Sequence, residues 1–357
     1  MRFSFGVVAS SMFALIAATG RLSAQSAQVT GEVTSSIVVS NPAVLPATPW
    51  TDAMYLADRS AGSNYSGVVN LIFNRVGGGS SACTGSHLGG GKILTAAHCV
   101  SSGTSLTSTS FTARFYQMGL GWVDVTGTGY AVKAGYNGAV VQDNDVAVLT
   151  LSGPAPAWAR TYSLASGSIL GQTQTFAGYG LVGNGLYGDQ FSSSQFTDAA
   201  VLRFGQNVFE TTCITGFTCA TSANAAAGEF GGILLSDLDR SGISSPGTLC
   251  TTLGFCSAGL PDFREVTTGR GDSGGAAFLN DWTISGVASF GQSSNGILGG
   301  FGFAEGHTCV ANIANNSRCQ SNFEFVNSQV VPEPATSAML AFGLLALAGI
   351  VRRKRTI

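Results

Sequence analysis

Short runs of β-branched and aromatic residues, each bounded by glycine, serine or asparagine, are the feature that most limits how this chain can fold. Five such runs cover 66–73, 92–96, 111–116, 146–151 and 282–290, and this pattern is typical of strands joined by tight turns. Glycine contributes 49 of the 357 residues, which is about twice its usual share. Long helical patterns of Leu, Glu and Lys are absent. The sequence therefore predicts an all-β body.

The first 27 residues have the order of features found in secretory signal peptides. Arg2 precedes an apolar run over 5–18, and small residues come next at 24–27. The run is too short to span a membrane comfortably, so this order predicts export. After the signal peptide we expect a linker or pro-like segment over 28–59 and a body over 60–327.

Export changes the meaning of the eight cysteines. An even number of cysteines in an oxidising compartment indicates disulfides rather than metal ligands. Spacing suggests four local pairs, which are Cys83 with Cys99, Cys213 with Cys219, Cys250 with Cys256, and Cys309 with Cys319.

Charge and metal-ligand patterns exclude several classes of partner. The chain has 17 Lys and Arg against 19 Asp and Glu, so no basic footprint for nucleic acid is present. No motif predicts a cofactor, and the cysteine pairs lack a histidine at zinc-ligand spacing. Residues 237–242 open like a calcium loop, but Thr248 stands where a bidentate Glu is needed. We expect a solvated acidic loop there and no metal.

The C-terminus combines Pro332-Glu333-Pro334, an apolar stretch over 335–351 and a basic cluster over 352–355. The stretch has about the minimum length of a membrane helix, and the basic cluster would stay on the cytoplasmic side. The whole of 328–357 resembles the PEP-CTERM sorting signal of Gram-negative bacteria. We expect a signal peptidase to act at the N-terminus, and the resemblance implies that an exosortase processes the C-terminus. The protein would then be held in the membrane at least transiently before it is released or attached at the cell surface. A permanent single-span anchor is the alternative.

Two strings in the body carry chemistry. Gly271-Asp272-Ser273-Gly274-Gly275 places a serine in a glycine-rich turn, where backbone amides can approach a substrate carbonyl. Leu94-Thr95-Ala96-Ala97-His98-Cys99 comes after a strand-like segment and ends on a cysteine. A serine, a histidine base and amide donors are the parts that acyl transfer needs. The strings are similar to the signatures of trypsin-like serine proteases.

The resemblance extends along most of the body. The segment 83–86 matches the cysteine-bearing strand before the histidine, and the family's disulfide would join Cys83 to Cys99. Asp145 stands before an alternating apolar strand, as the family's catalytic carboxylate does, whereas Asp143 lies two residues further away. The implied fold is two antiparallel β-barrels with the active site in the cleft between them.

The resemblance also assigns roles. His98 would be the base, Asp145 its orienting carboxylate and Ser273 the nucleophile, as in the family's Ser-His-Asp triad. The amides of Gly271 and Ser273 would form the oxyanion hole. The substrate pocket would be lined by Thr267, Ser289, Phe290 and Gly291, and Ser289 would also hydrogen-bond Asp145.

The sequence departs from the family at two points. No Ile-Val-Gly-Gly string precedes Cys83, so the partner of Asp272 after activation is not identified, and Gly269 replaces a family cysteine. The triplet Arg270-Gly271-Asp272 also matches an adhesion motif, but the same residues build the oxyanion turn and should be partly buried.

We expect a serine endopeptidase acting on proteins or peptides, exported and sorted to the cell surface or matrix. The alternative is a catalytically silent matrix or adhesion protein that keeps the fold. Thr267 carries no charge, so cleavage after uncharged residues of small to moderate size is expected. His87 and His307 lie outside the motifs and are expected at the surface.

Overall fold

The structure is a computed structural model that describes residues 56–181 without a break. Beyond these it describes 183–184, 188–189, 201–215, 218–220, 231–239, 248–256, 260, 264–294, 297–298 and 304–330, and it gives the backbone of 21–24, 27–29 and 38–39. In this described part no helix is long and apolar enough to cross a membrane. The predicted helix over 335–351, and most of the predicted signal peptide and linker, lie outside the described residues.

Strands dominate the described residues, which confirms the all-β prediction. They are β1 (Arg21–Ala24), β2 (Ala27–Val29), β3 (Val38–Val39), β4 (Val68–Arg75), β5 (Ser80–Gly89), β6 (Lys92–Thr95), β7 (Ser108–Gln117), β8 (Gly121–Val132), β9 (Ala147–Leu151), β10 (Thr173–Gly178), β11 (Gly183–Asn184), β12 (Gly188–Asp189), β13 (Arg203–Val208), β14 (Thr211–Ile214), β15 (Thr218–Cys219), β16 (Ile233–Asp237), β17 (Val266–Thr267), β18 (Ala276–Phe278), β19 (Ile284–Ser294), β20 (Ile297–Leu298) and β21 (Ala304–Cys309). The helices are α1 (Thr248–Leu253) and α2 (Ser317–Val330). All five predicted strands are present, with ends displaced by a few residues.

The first barrel is closed. Its strands are hydrogen-bonded in the order β5, β4, β7, β8, β9 and β6, and β6 pairs back with β5. Along β7 the side chains alternate, so Phe111, Ala113 and Phe115 are buried while Thr112 and Arg114 are more exposed. Phe73 and Leu149 complete a tightly buried interior. The period of two in the sequence therefore sets which face of each strand fills the barrel.

The second sheet contains most of the remaining strands. It runs in the order β13, β10, β18, β19, β21, β16, β14 and β15, and the pairings among described strands leave its two ends unjoined. Three of these strands, β13 to β15, lie between residues 178 and 232. Buried Phe176, Phe209 and Leu234 pack in its interior.

The N-terminal segment contributes strands to both halves. The short strand β1 pairs antiparallel with β19, with Ala24 opposite Phe290, and β2 pairs with β5, with Ala27 opposite Ala82. The sequence had indicated a signal peptide and an unpatterned linker over 1–59. The assignment of those segments stays a prediction, and the strands show only that this backbone can complete both sheets.

All four disulfides join the pairs that the spacing suggested. They connect Cys83 to Cys99, Cys213 to Cys219, Cys250 to Cys256 and Cys309 to Cys319. The first ties strand β5 to the turn after β6. The last ties β21 to helix α2.

The expectation that two histidines lie at the surface is wrong. His87 is 6% exposed and His307 is 1% exposed. His87 sits on β5, with its ring edge towards Phe115 and its Nδ1 3.2 Å from the carbonyl of Arg160. His307 lies on β21 between Phe176 and Phe209. Both strands are buried along almost their whole length, so each ring lies inside whichever face of its strand it occupies.

Candidate active site

His98 and Asp145 meet because strands β6 and β9 are neighbours. His98 lies in a short 3-10 turn, Ala97–Cys99, directly after β6, and Asp145 lies directly before β9. The His98 amide donates to Asp145 Oδ1 at 2.8 Å, and His98 Nδ1 lies 2.7 Å from Oδ2. Asp145 is fully buried. This pair of contacts orients the ring, so that a proton on Nδ1 leaves Nε2 free to accept one.

The predicted choice of Asp145 over Asp143 agrees with their contacts. Ser289 donates its hydroxyl to Asp145 Oδ2, so this carboxylate has three donors. Asp143 faces elsewhere, where it pairs with Arg318 and accepts the amide of Gly232 at 3.0 Å. Asp143 thus binds α2 to the second sheet, and it does not contact His98.

Ser273 stands in a turn between β17 and β18 that is pressed against the first barrel. The Thr84 amide donates to the Ser273 carbonyl at 2.8 Å, and the Thr84 hydroxyl donates to the Gly271 carbonyl at 3.0 Å. Gly274 has a φ of +82°, and a Cβ there would lie 2.0 Å from Thr95 Oγ1. Only glycine satisfies both the angle and the contact.

The reactive atoms of the candidate triad are both buried. Neither Ser273 Oγ nor His98 Nε2 has a hydrogen-bond partner among the described residues. The turn that contains Ser273 lies next to the turn that contains His98, since Cys99 Sγ lies 3.8 Å from the Ser273 carbonyl. A direct hydrogen bond between the two side chains is not formed.

The turn around Ser273 offers amide donors. Among the described backbone groups, the amides of Gly271 and Ser273 donate to no carbonyl, and Gly271 has a φ of +100°. The neighbouring Asp272 instead holds the turn from inside, where its carboxylate accepts the amides of Gly180 at 2.7 Å and Gly269 at 2.8 Å. Burial raises the pKa of Asp272 to about 7.

The predicted pocket residues all lie in one buried region. Thr267 ends β17, and Ser289, Phe290 and Gly291 lie along β19. All four residues are buried. Strand β21 pairs with β19 and places Glu305 opposite Gly291.

Sequence reasoning missed Glu305, which is fully buried beside Thr268. The two residues are 37 positions apart, so no local string joins them. The one available signal was a lone acidic residue in the strand Ala304–Cys309, next to the predicted cleft.

Two segments that resemble other kinds of site, the adhesion-like triplet 270–272 and the start of the calcium-like loop at 237–239, are largely buried. Arg270 forms a two-pronged ion pair with buried Asp189, with contacts of 2.8 and 3.1 Å, and Asp272 is 1% exposed. The adhesion-like triplet is therefore partly buried, as expected. The expectation of a solvated acidic loop is wrong for its first residues, because Asp237 and Asp239 are buried.

The acidic side chains near that loop do approach one another. One carboxylate oxygen each from Glu210, Asp237 and Asp239 lies within 4.8 Å of the others. Cys83, His98 and Cys99 are also close together, but both cysteines are in a disulfide, so they cannot serve as thiolate ligands.

A family model described as Trypsin matches residues 58–263, which is more than half of the chain. The chain belongs to the trypsin family. The match includes His98 and Asp145 and ends ten residues before Ser273. A second model, described as the PEP-CTERM protein-sorting motif, matches residues 330–355 of this trypsin-family protein.

Solved structures similar to this chain include a collagenase and a bacterial protease. The HL collagenase structure aligns with a TM-score of 0.48 at 18% identity, covering 78% of this chain and 98% of that one. The protease Anisep from Arthrobacter nicotinovorans aligns with a TM-score of 0.44 at 12% identity, covering 74% and 99%. A search of curated proteins gave no significant match.

Proposed function

We propose that this trypsin-family protein is an active serine endopeptidase with Ser273 as nucleophile, His98 as base and Asp145 as orienting carboxylate. The observation that carries the proposal is the double contact of His98 with Asp145, at 2.8 Å through its amide and 2.7 Å through Nδ1. The contact fixes both the ring and its tautomer. A merely structural histidine would not need a buried carboxylate that is shared with Ser289.

The chemistry depends on these positions. When the Ser273 hydroxyl and His98 Nε2 come within hydrogen-bond reach, the imidazole removes the hydroxyl proton as the oxygen attacks the substrate carbonyl carbon. The carbonyl oxygen becomes negative and accepts the amides of Gly271 and Ser273. The imidazolium then protonates the leaving amine, and the C–N bond breaks to give an acyl-enzyme. Water, deprotonated by His98, releases the acid and restores Ser273.

Burial of Asp145 supports this cycle. The carboxylate lies out of water and accepts the His98 amide, His98 Nδ1 and the Ser289 hydroxyl. An anion held in this way stabilises the imidazolium that forms when the proton moves.

The ends of the chain support a route out of the cell. The family match at 330–355 and the predicted signal peptide favour export from a Gram-negative cell, and then exosortase-type processing at the membrane. In this proposal the protease acts at the cell surface or beyond it. Deleting 331–357 should leave proteolysis unchanged and shift the protein to the medium, which fractionation of cells and medium would measure. Unchanged retention on the cells would contradict this route.

The test of catalysis compares secreted wild type with Ser273→Ala on casein and with a serine-directed fluorophosphonate label. We expect digestion and labelling in the wild type, and loss of both in the variant with unchanged thermal unfolding. Ser328→Ala, which changes an exposed hydroxyl on α2, is the matched control and should behave as wild type. Full digestion by Ser273→Ala would refute the proposal, and a folded but inert wild type would favour the silent alternative.

A further inference from the structure

Two short strands near the N-terminus pair with strands on either side of the candidate active site. Strand β1 runs antiparallel along β19, with Ala24 opposite Phe290. Strand β2 runs antiparallel along β5, with Ala27 opposite Ala82. The strand that β1 joins contains three of the four predicted pocket residues, at positions 289–291. The N-terminal segment thus pairs with the surface to which a peptide substrate is expected to bind.

The partner of β1 leads to the orienting carboxylate and to the nucleophile turn. Ser289, the residue before the paired Phe290, donates its hydroxyl to Asp145. The amide of Gly274, in the nucleophile turn, donates to the carbonyl of Ala288 at 2.8 Å. Strand β1 therefore ends close to the triad on the side of the second sheet.

The partner of β2 leads to the base. Cys83, the residue after the paired Ala82, forms a disulfide with Cys99, and Cys99 comes directly after His98. The next amide along β5, that of Thr84, donates to a carbonyl of the nucleophile turn at 2.8 Å. Strand β2 therefore begins close to the triad on the side of the first barrel.

The stretch of chain between the two strands is short. Only Gln25 and Ser26 separate Ala24 from Ala27, so the α-carbons of these two paired residues are at most about 11 Å apart. One segment of the chain therefore passes from the second sheet to the first barrel beside the candidate triad. A peptide that is cleaved there has to bridge the same two halves.

The reactive atoms of the triad are covered. Ser273 has 0% exposure and the His98 side chain 5%. Ser273 Oγ and His98 Nε2 are buried although neither has a hydrogen-bond partner among the described residues. Hydrolysis requires a peptide carbonyl to come within reach of both atoms. Their burial is the state expected of a cleft that is already occupied.

We propose that β1 and β2 occupy the substrate cleft of their own molecule and block the protease until residues 21–24 are removed or displaced. The inference rests on the proposed protease function. Main-chain pairing to strand edges supplies affinity without a specific side chain. Because the segment is tethered, its effective concentration at the cleft is on the order of 1 mM. The block lies in the cleft itself and involves no change at Asp272.

The proposal connects inhibition to export. The expected signal peptidase would cut among the small residues at 24–27 and would thereby remove β1. The end of the predicted signal peptide would then keep the protease inactive until the protein has left the cytoplasm, and the secreted form would be active.

The test uses the full chain, made by cell-free synthesis without membranes so that neither signal peptidase nor exosortase acts on it. The rate of fluorophosphonate labelling at Ser273 is compared between wild type and a double variant, Ser23→Pro with Gln28→Pro, because proline within a strand disrupts pairing. We expect the double variant to label at least roughly tenfold faster, since the wild-type cleft is open for only a small fraction of the time. Ser35→Pro, which lies between β2 and β3, is the matched control and should label at the wild-type rate.

The intact mass of each chain is measured in the same samples. If the wild type cuts its own segment, the new N-terminus will be residue 25, 26 or 27, and Ser273→Ala will keep the segment. A cut at one of these bonds, at a rate independent of protein concentration, also supports the proposal, because only a segment lying across the cleft presents these bonds to Ser273 of the same molecule.

A peptide can replace the segment in trans. Residues 21–29 as a synthetic peptide, at about 1 mM to match the tethered segment, should slow labelling of the double proline variant by at least roughly threefold. A peptide of the same composition in reversed order should have no effect.

The outcomes separate the two proposals. Equal labelling rates for the double proline variant and for wild type that keeps residues 21–29 overturn the occupation of the cleft, while the labelling itself keeps the protease function. Labelling of the double variant that the 21–29 peptide does not slow has the same meaning. Absence of labelling in every variant, although thermal unfolding shows that they are folded, overturns the proposed function itself.

Discussion

The first barrel and the second sheet have different interiors. The barrel, from β4 to β9, is filled by hydrocarbon, including Phe73, Phe111 and Phe115, and its buried acids, Asp143 and Asp145, both lie at the edge near the candidate site. The second sheet and its loops bury a larger set of acids, namely Asp189, Asp237, Asp239, Glu265, Asp272 and Glu305. The interior of the barrel is therefore almost entirely apolar, whereas the second half of the molecule buries many carboxyl groups.

The difference extends to protonation. Burial raises the pKa of Asp237 and of Glu265 to about 8, and that of Asp272 to about 7. The free energy of unfolding should therefore depend on pH mainly through the second half of the molecule. Four experiments probe this contrast between a hydrocarbon interior and one that is rich in buried carboxyl groups.

The largest effect is expected where the two halves meet. Asp145→Asn should lower kcat by about 10⁴-fold, the loss known for this change in the family's triad, because the His98 tautomer is no longer fixed. Asp143→Asn is the matched control two residues away, and it should keep kcat within about threefold while weakening the attachment of α2. Peptide hydrolysis and thermal unfolding of both variants are measured. Equal loss of kcat in the two variants would show that Asp143 and Asp145 have been assigned wrongly.

The hydrocarbon interior of the barrel should give the next largest effect. Phe111→Ala removes a fully buried ring that contacts Phe73 and Tyr130, and the free energy of unfolding should fall by about 3–5 kcal/mol. Urea unfolding with tryptophan fluorescence as the signal measures it, and the loss should be the same at pH 5 and pH 8. A loss under about 1 kcal/mol would mean that the barrel interior repacks freely.

The buried carboxyl groups of the second half should make the stability of the protein depend on pH. A carboxyl whose pKa is raised on folding binds its proton more tightly when folded, so its contribution to stability is greatest below its unfolded pKa and declines as pH rises. For Asp237 this window runs from about 4 to 8. Asp237→Asn should flatten the decline of the melting temperature between pH 5 and 8, whereas Asp124→Asn, at an exposed site, should not. If the melting temperatures of wild type and Asp237→Asn fell in parallel between pH 5 and 8, the raised pKa of Asp237 would be contradicted.

The smallest effect is expected for His307, whose contribution to stability changes with pH in the opposite direction to that of Asp237. Burial lowers the pKa of His307 to about 3, so the folded protein keeps a neutral ring while the unfolded chain binds a proton below about pH 6.5. Its contribution is complete above that pH and is lost as the pH falls towards 3. His307→Leu should lessen acid destabilisation of the melting temperature, and a steeper acid decline in the variant would contradict the expectation.

Local strings predicted most of the candidate site. His98 and Ser273 each sit in a short motif, and Asp145 was found because an alternating strand comes directly after it. Close spacing predicted the disulfides correctly. The contact between Glu305 and Thr268 was not predicted, because the two residues are 37 positions apart and no local pattern joins strand β21 to the end of β17.

The burial of His307 was missed for a related reason. A histidine in a strand carries no local signal that both faces of the strand are covered, and β21 is buried along its whole length. Strands between residues 178 and 232, such as Arg203–Val208, were not predicted, because the many glycine and serine residues of this stretch obscure the strand pattern. Local motifs therefore identified the candidate catalytic residues more completely than they predicted the strands of the second sheet.

Gly274 has a consequence for how the protein can change over time. A side chain there would collide with Thr95 Oγ1 and, at 2.4 Å, with the Thr84 carbonyl, so the main chain of the nucleophile turn packs directly on strands β5 and β6 of the first barrel. A larger residue at position 274 would have to push the two halves apart. We therefore expect substitutions elsewhere in either core to change the stability of the protein over evolution while leaving the spacing between Ser273 and His98 as it is.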